Sequence, residues 1–316
     1  MFAAAGKLYG YSFKPVSGLP VFHKDVKTWE VLDRDNRPIG VWYFDPYARA
    51  GKNSGAWMNA YREQYRMDGD IITIVSNNSN FIPGGAGAPT TISFDDATTM
   101  FHEFGHALHG LSSNVTYPGV SGTNTARDFV EFPSQVNENW FTTPEVQALL
   151  VNAKGEHIPQ ALLDKIGKAQ YFNQAFRVVE AQASAIVDMK LHLAGDVPID
   201  PRAFEKKTLD DLGMPSEMVM RHRIPQFGHI FSGEGYAAGY YGYLWAEVLD
   251  HDAYEAFTET GNAYDPATAK RFHDTILSVG NTVDPAQAFR NFRGRDPKVD
   301  AWLRSKGFPV ATAGTK

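Results

Sequence analysis

The residues richest in chemical potential are His102, Glu103 and His106, in the run Phe101-His102-Glu103-Phe104-Gly105-His106-Ala107-Leu108-His109. Ser93-Phe94-Asp95-Asp96 just upstream has the Ser-x-x-Asp form of a capping box, which predicts a helix that begins there and carries Met100 to Leu111. On a helix His102 and His106 stand one turn apart on one face, so both imidazoles can reach a single ion. Glu103 lies about 100° around the axis, where its carboxylate can address a water bound to that ion without itself being a ligand. The chemistry this pattern offers is hydrolysis by a metal-activated water.

A catalytic zinc needs a third protein ligand. His109 shares the helical face three residues after His106, but it would have to approach a tetrahedral ion from a different angle. Glu131, 29 residues after His102, is the stronger candidate. In Arg127 to Trp140 a helix would align Asp128, Glu131, Gln135 and Glu138 on one face. Phe129, Val130, Phe132, Val136 and Trp140 predict that much of this helix is buried. A buried acidic face calls for a cation, and zinc supplies one. Asp128, Gln135 and Glu138 are then candidates for orienting the histidine ligands through hydrogen bonds. A second constellation lies at His229 and Tyr236 to Trp245. There Tyr236, Tyr240 and Tyr243 fall on one face of a predicted helix, with phenols able to stabilise a developing oxyanion, and Tyr241 points elsewhere.

The elements that must position these groups change character near residue 93. Before it, Thr28 to Asp33 and Gly40 to Asp45 read as strands of a hairpin around Arg34 to Pro38, and Ile71 to Ser76 as a third strand. The Asn-, Gly- and Pro-rich stretch Asn77 to Thr91 reads as a loop. Beyond it, helical spacing recurs through Pro159 to Ala194, Tyr236 to Phe257 and Pro266 to Val279. The expected fold is mainly α with a small antiparallel sheet, an α+β arrangement. Residues 1–92 form a small mixed subregion, residues 93–316 a helical one that carries the zinc site, and the tail Ala311 to Lys316 is frayed. Zero cysteines exclude disulfides and thiolate metal sites, so imidazole and carboxylate must hold the metal. Thirty basic against 36 acidic residues provide no broad attraction for nucleic acid or anionic lipid. The basic groups Arg221-His222-Arg223 and Arg290 to Arg295 are expected to be ion-paired or solvated. No apolar run is long enough to span a bilayer and no targeting segment is evident, which predicts a cytoplasmic protein, with the periplasm as the alternative.

Together, the segments Phe101 to His109 and Gly122 to Trp140 closely resemble the thimet oligopeptidase family of metallopeptidases, and its peptidyl-dipeptidase branch, the dipeptidyl carboxypeptidases, in particular. Phe227-Gly228-His229-Ile230-Phe231 and Gly235 to Trp245 resemble that family's substrate-binding segment. Weaker likenesses lie at Asp45 to Arg49, Lys52, Gly55 to Trp57 and Phe292 to Arg295. The resemblance implies a zincin-like catalytic lobe with one zinc on His102, His106 and Glu131, and with Glu103 as catalytic base. It implies that Tyr236 and His229 act on the reaction intermediate and that Tyr240 and Tyr243 contact the peptide. Release of carboxyl-terminal dipeptides, also implied, requires a cation for the free carboxylate, for which Arg223 is one candidate. An endo-acting oligopeptidase is the close alternative. Full members of the family are about twice this length, so the resemblance covers their carboxyl-terminal catalytic half. Short peptides are the expected substrates, and a separate amino-terminal lobe or a second copy of the chain the expected protein partner. An inactive or partner-dependent zinc-binding fragment is the reading from a different class.

Overall fold

The computed structural model describes residues 1–310 apart from Ala86, Ala153 and Glu234, so the tail expected to be frayed lies outside the described residues. A short helix α1 (Phe2–Tyr9) precedes strands β1 (Ser12–Pro15), β2 (Lys27–Leu32), β3 (Pro38–Tyr47), β4 (Trp57–Arg62) and β5 (Thr73–Phe81). The helices that follow are α2 (Phe94–Ser112), α3 (Glu131–Glu138), α4 (Pro144–Gln147), α5 (Gln160–Ala169), α6 (Gln174–His192), α7 (Pro201–Asp211), α8 (Gly228–Phe231), α9 (Gly242–Thr258), α10 (Pro266–Phe272), α11 (Pro285–Arg293) and α12 (Asp300–Ser305).

The hairpin expected around Arg34 to Pro38 is present: β2 and β3 pair antiparallel, with the Asp33 carboxylate accepting hydrogen bonds from the Asp35 and Arg37 amides at the turn. The sheet as a whole is mixed rather than antiparallel. Its order is β1-β2-β3-β5-β4, and β3 pairs with β5 in parallel. Strand β5 also runs on through Asn77, Asn78 and Ser79, residues whose types signal a loop. They stay in the strand because their side chains are buried and bonded. The Asn77 oxygen accepts from the Trp42 indole at 2.7 Å, and its amide donates to the Glu103 carbonyl at 2.6 Å.

Helix α2 starts with the capping box expected of it: the Asp96 amide donates to Ser93 Oγ and the Ser93 amide to the Asp96 carboxylate, both at 3.0 Å. Its apolar back face, Phe101, Phe104, Leu108 and Leu111, enters the main core with Val31, Trp42 and Val75 of the sheet and Phe132, Val136 and Trp140 of the α3 region. Phe104 packs edge-on to Trp42, ring centres 5.4 Å apart, so the sheet backs the residues flanking it on the helix. A second, smaller core joins Ala183 and Val187 of α6 with Leu209, Met220, Ile224, Phe227 and Ile230. The helical stretch expected over Pro159 to Ala194 is two helices, separated where Asn173 takes a left-handed conformation at φ 54°. That expected over Tyr236 to Phe257 begins only at Gly242; Tyr236 to Tyr241 form turns, with Ala238 at φ 54°.

Candidate metal centre

Helices α2 and α3 cross closely enough that a methyl group on Gly105 would lie 2.6 Å from the Ser134 Cα and 2.9 Å from the Pro133 carbonyl oxygen. Only glycine permits this approach. Asn137 secures the crossing by donating to the Phe101 carbonyl at 2.7 Å. The contact carries Glu131 across to the histidines. Its Oε2 lies 3.1 Å from His102 Nε2 and 3.1 Å from His106 Nε2, and one ligand atom from each of the three residues falls within 4.8 Å of the others.

The donor set fits zinc: two imidazoles and a carboxylate, converging from two helices that the core holds fixed. Glu131 is 2% exposed. Burial raises its carboxyl, but His106 and His102 outweigh that effect and hold it well below the usual carboxylate range. Burial likewise lowers His102, and its bonds to Glu131 and Glu138 more than reverse this, leaving it well above the ordinary imidazole value. Glu138 Oε1 meets His102 Nδ1 at 2.7 Å, which directs the other ring nitrogen towards Glu131. Glu103 is also buried, and its Oε2 has no hydrogen-bond partner. Burial pushes its carboxyl above the usual range despite the opposing pull of His106 and His102. A buried carboxylate oxygen without a partner is costly, and this one faces the cavity beside the His-His-Glu group.

The tyrosines reach the same centre without sharing a helix. Tyr236 donates to Glu131 Oε1 at 2.5 Å and stacks on Tyr243, with ring centres 5.5 Å apart. His229 lies 5.7 Å from Tyr236, 5.7 Å from Tyr240 and 6.2 Å from Tyr243, ring to ring. Burial pushes the phenols of Tyr236 and Tyr243 up, with Glu131 adding to the effect, and pushes the His229 imidazole down. Tyr241 points away and donates to Asp128.

A cavity of about 370 Å³ opens over these groups, lined by His102, Glu103, His106, Glu131, His229, Tyr236 and Tyr243. A larger one of about 480 Å³, at the other end of α2 beside Tyr11, Ser112 and His273, lacks the His-His-Glu group, so chemistry rather than size locates the site. Of the three residues considered for orienting the histidines, only Glu138 touches one. Asp128 accepts from Tyr241, and Gln135 donates to the Tyr243 carbonyl at 3.2 Å, tying α3 to α9. Arg223 does not line the cavity; it pairs with the buried Glu205. The late arginines are paired too, Arg293 and Arg295 both with Asp252. His109 is completely buried, with neither ring nitrogen bonded, and burial pushes it down to about 3; it is outside the His-His-Glu group.

Sequence reasoning missed two contributors. Arg127 lines the cavity and lies 4.6 Å over the Tyr236 ring, in the turn that leads into α3, four residues before Glu131. Ala56, Trp57 and Met58, at the start of the edge strand β4, form another wall. Both lie in stretches read above only as family likeness, Arg127 in Gly122 to Trp140 and Ala56 and Trp57 in Gly55 to Trp57, and no local pattern gave either a place in the cavity.

A His-His-Glu donor group beside an unpaired buried carboxylate is the constellation of a metallohydrolase. The chain belongs to peptidase family M3, whose model matches residues 1–308. Among its relatives, dipeptidyl carboxypeptidase of Escherichia coli (strain K12) is 38% identical over 98% of this chain, and oligopeptidase A of the same organism 37% identical over 97%. A thimet-like oligopeptidase of Dictyostelium discoideum is 28% identical over 95%. In each case the match spans 46% of the relative's own length.

Proposed function

We propose that the chain is a zinc-dependent peptidase that hydrolyses short peptides and releases carboxyl-terminal dipeptides, with residues 1–316 forming a single zincin-like catalytic lobe. His102, His106 and Glu131 would hold the ion, which when bound supplies Lewis-acid activation of a water. The observation that carries the reading is the unpaired, buried Glu103 carboxylate beside that donor group. With its proton affinity raised, Glu103 takes the proton of the attacking water and passes it to the leaving amine. Tyr236 stays protonated under the influence of burial and Glu131, and its phenol donates to the carbonyl oxygen as charge develops there, with His229 in support. Glu138 fixes the His102 ring. Tyr240 and Tyr243 shape the wall against which the peptide lies.

An extended peptide adding to a sheet edge would add to β4, an edge strand beside the cavity, since β5 is interior. Arg127 is the cation among the described residues lining the cavity, and it suits the peptide's free carboxylate better than Arg223 does. An endo-acting oligopeptidase is the second reading, favoured by the near-equal identity to oligopeptidase A. Exposed apolar residues gather along residues 149–197, where α5 buries none of its side chains; Leu162, Phe172, Phe176 and Leu193 are among them. This supports a further lobe, or a second copy, covering that face.

A digest of free and carboxyl-terminally blocked peptides, with and without chelator, tests the reading. Chelator-sensitive release of dipeptides from free peptides alone is the expected result. Cleavage of blocked peptides favours the endo-acting alternative, and chelator-insensitive cleavage contradicts both.

A further inference from the structure

The turns that carry Tyr236 and Tyr240 cannot hold themselves. Between α8 and α9 they place Ala238 at φ 54°, a left-handed conformation unfavourable for an L-residue with a Cβ. Gly239 donates to the Tyr236 carbonyl at 2.9 Å and Gly242 to the Gly239 carbonyl at 3.0 Å. The amides of Ala238 and Tyr240 turn instead to a carboxylate from another element. Asp188 of α6 accepts from Ala238 through Oδ1 and from Tyr240 through Oδ2, each at 3.0 Å. Its Oδ1 also lies 2.9 Å from His192 Nδ1.

Asp188 is completely buried, among the small apolar residues Ala183, Ala185 and Val187 of the same helix. Burying a carboxyl group is unfavourable unless hydrogen bonds satisfy it, and here the turn bonds both oxygens. The metal ligands sit on the main core, whereas Tyr236 and Tyr240 pack on the small core to which α6 contributes. Asp188 therefore links the small core to the backbone that aims the phenols at Glu131.

We propose that Asp188 is a positioning residue of the site: its carboxylate clasps the turn at two amides and thereby sets Tyr236 against Glu131 and Tyr240 against His229. The consequence for catalysis rests on the peptidase reading above; the clasp itself does not.

Two measurements on the whole chain, supplied with zinc, separate these. In Asp188→Asn, and in Asp188→Ala as a second variant, amide exchange at Ala238 and Tyr240 rises about tenfold or more, while α2 amides keep their protection and zinc stoichiometry is unchanged. On a short fluorogenic peptide, kcat falls about tenfold or more with little change in KM. Adding Ala238→Gly, which removes the left-handed penalty, recovers about threefold of the loss. Unchanged exchange at the turn overturns the clasp, as does loosening that spreads equally to α2, which would make Asp188 a residue of general stability. Local loosening with kcat unchanged overturns the positioning role. A wild-type chain inert towards the peptide, with the exchange effect still local, supports the clasp and overturns the peptidase reading instead.

Discussion

At the scale of single residues, a His-His-Glu group and a buried, unbonded carboxylate oxygen stand side by side. His102 and His106 each meet Glu131 through Nε2, and Glu138 meets His102 Nδ1, whereas Glu103 Oε2, like His106 Nδ1, bonds to nothing. Glu103→Gln is therefore expected to keep zinc and to lower kcat by about 10²–10⁴-fold, the range for losing a general base. Parallel metal analysis and initial rates check this, and an active glutamine variant would remove the base from Glu103. Glu138→Ala removes the carboxylate that fixes the His102 ring, and we expect zinc affinity to fall by about 10–100-fold, read by competition with a chromogenic chelator. The places of His102 and His106 were legible in the sequence because a helix converts spacing directly into a shared face. Arg127 and Asp188 were not, since an arginine or aspartate gains its meaning from which backbone or ring it meets, and those partners lie 109 and 50 or 52 positions away.

Elements account for how donors from two helices meet. Gly105 lets α2 and α3 touch, so Gly105→Ala is expected to force them apart, destabilise the fold by about 1–3 kcal/mol and weaken zinc binding in step. Thermal melts with and without zinc test it; a stable variant with unaltered affinity would show that the crossing has slack. The late arginines serve the fold in a similar way by tying the segment after α11 to α9 through Asp252. Burial raises the Asp252 carboxyl, but hydrogen bonds from Arg295, the Lys298 amide and Arg293 outweigh it and hold the group below its ordinary 3.8. The folded chain thus binds this proton less readily than the unfolded chain. The resulting stability is complete above the ordinary value and is lost as pH falls through the lower folded value. Below about pH 4, wild-type stability should fall more steeply than that of Asp252→Asn, and parallel curves would exclude the contribution. Helices with strong caps were readable locally, as Ser93 and Asp96 show. Strand β5 beyond Ser76 and the turns at Tyr236 were not: buried partners keep Asn77 extended, and Asp188 holds the tyrosine turns out of helix.

At the scale of the whole molecule, the chain spans under half the length of the relatives it matches. The candidate site draws on residues 102–243, and at the two ends of α6 Phe172 is 73% and Leu193 75% exposed. No helix among the described residues is long and apolar enough to cross a membrane. Replacing Phe172 and Leu193 by serine is expected to reduce self-association in sedimentation experiments while changing stability by no more than about 0.5 kcal/mol per site. Association unchanged by both replacements would place the contact elsewhere.

The most direct test of the central claim is the metal content of the purified chain after equilibration with trace zinc and removal of unbound ion. The account predicts one zinc per chain, lost in His102→Ala and in His106→Ala while both variants stay folded. A folded wild-type chain that retains no zinc, or histidine variants that retain it in full, would contradict it.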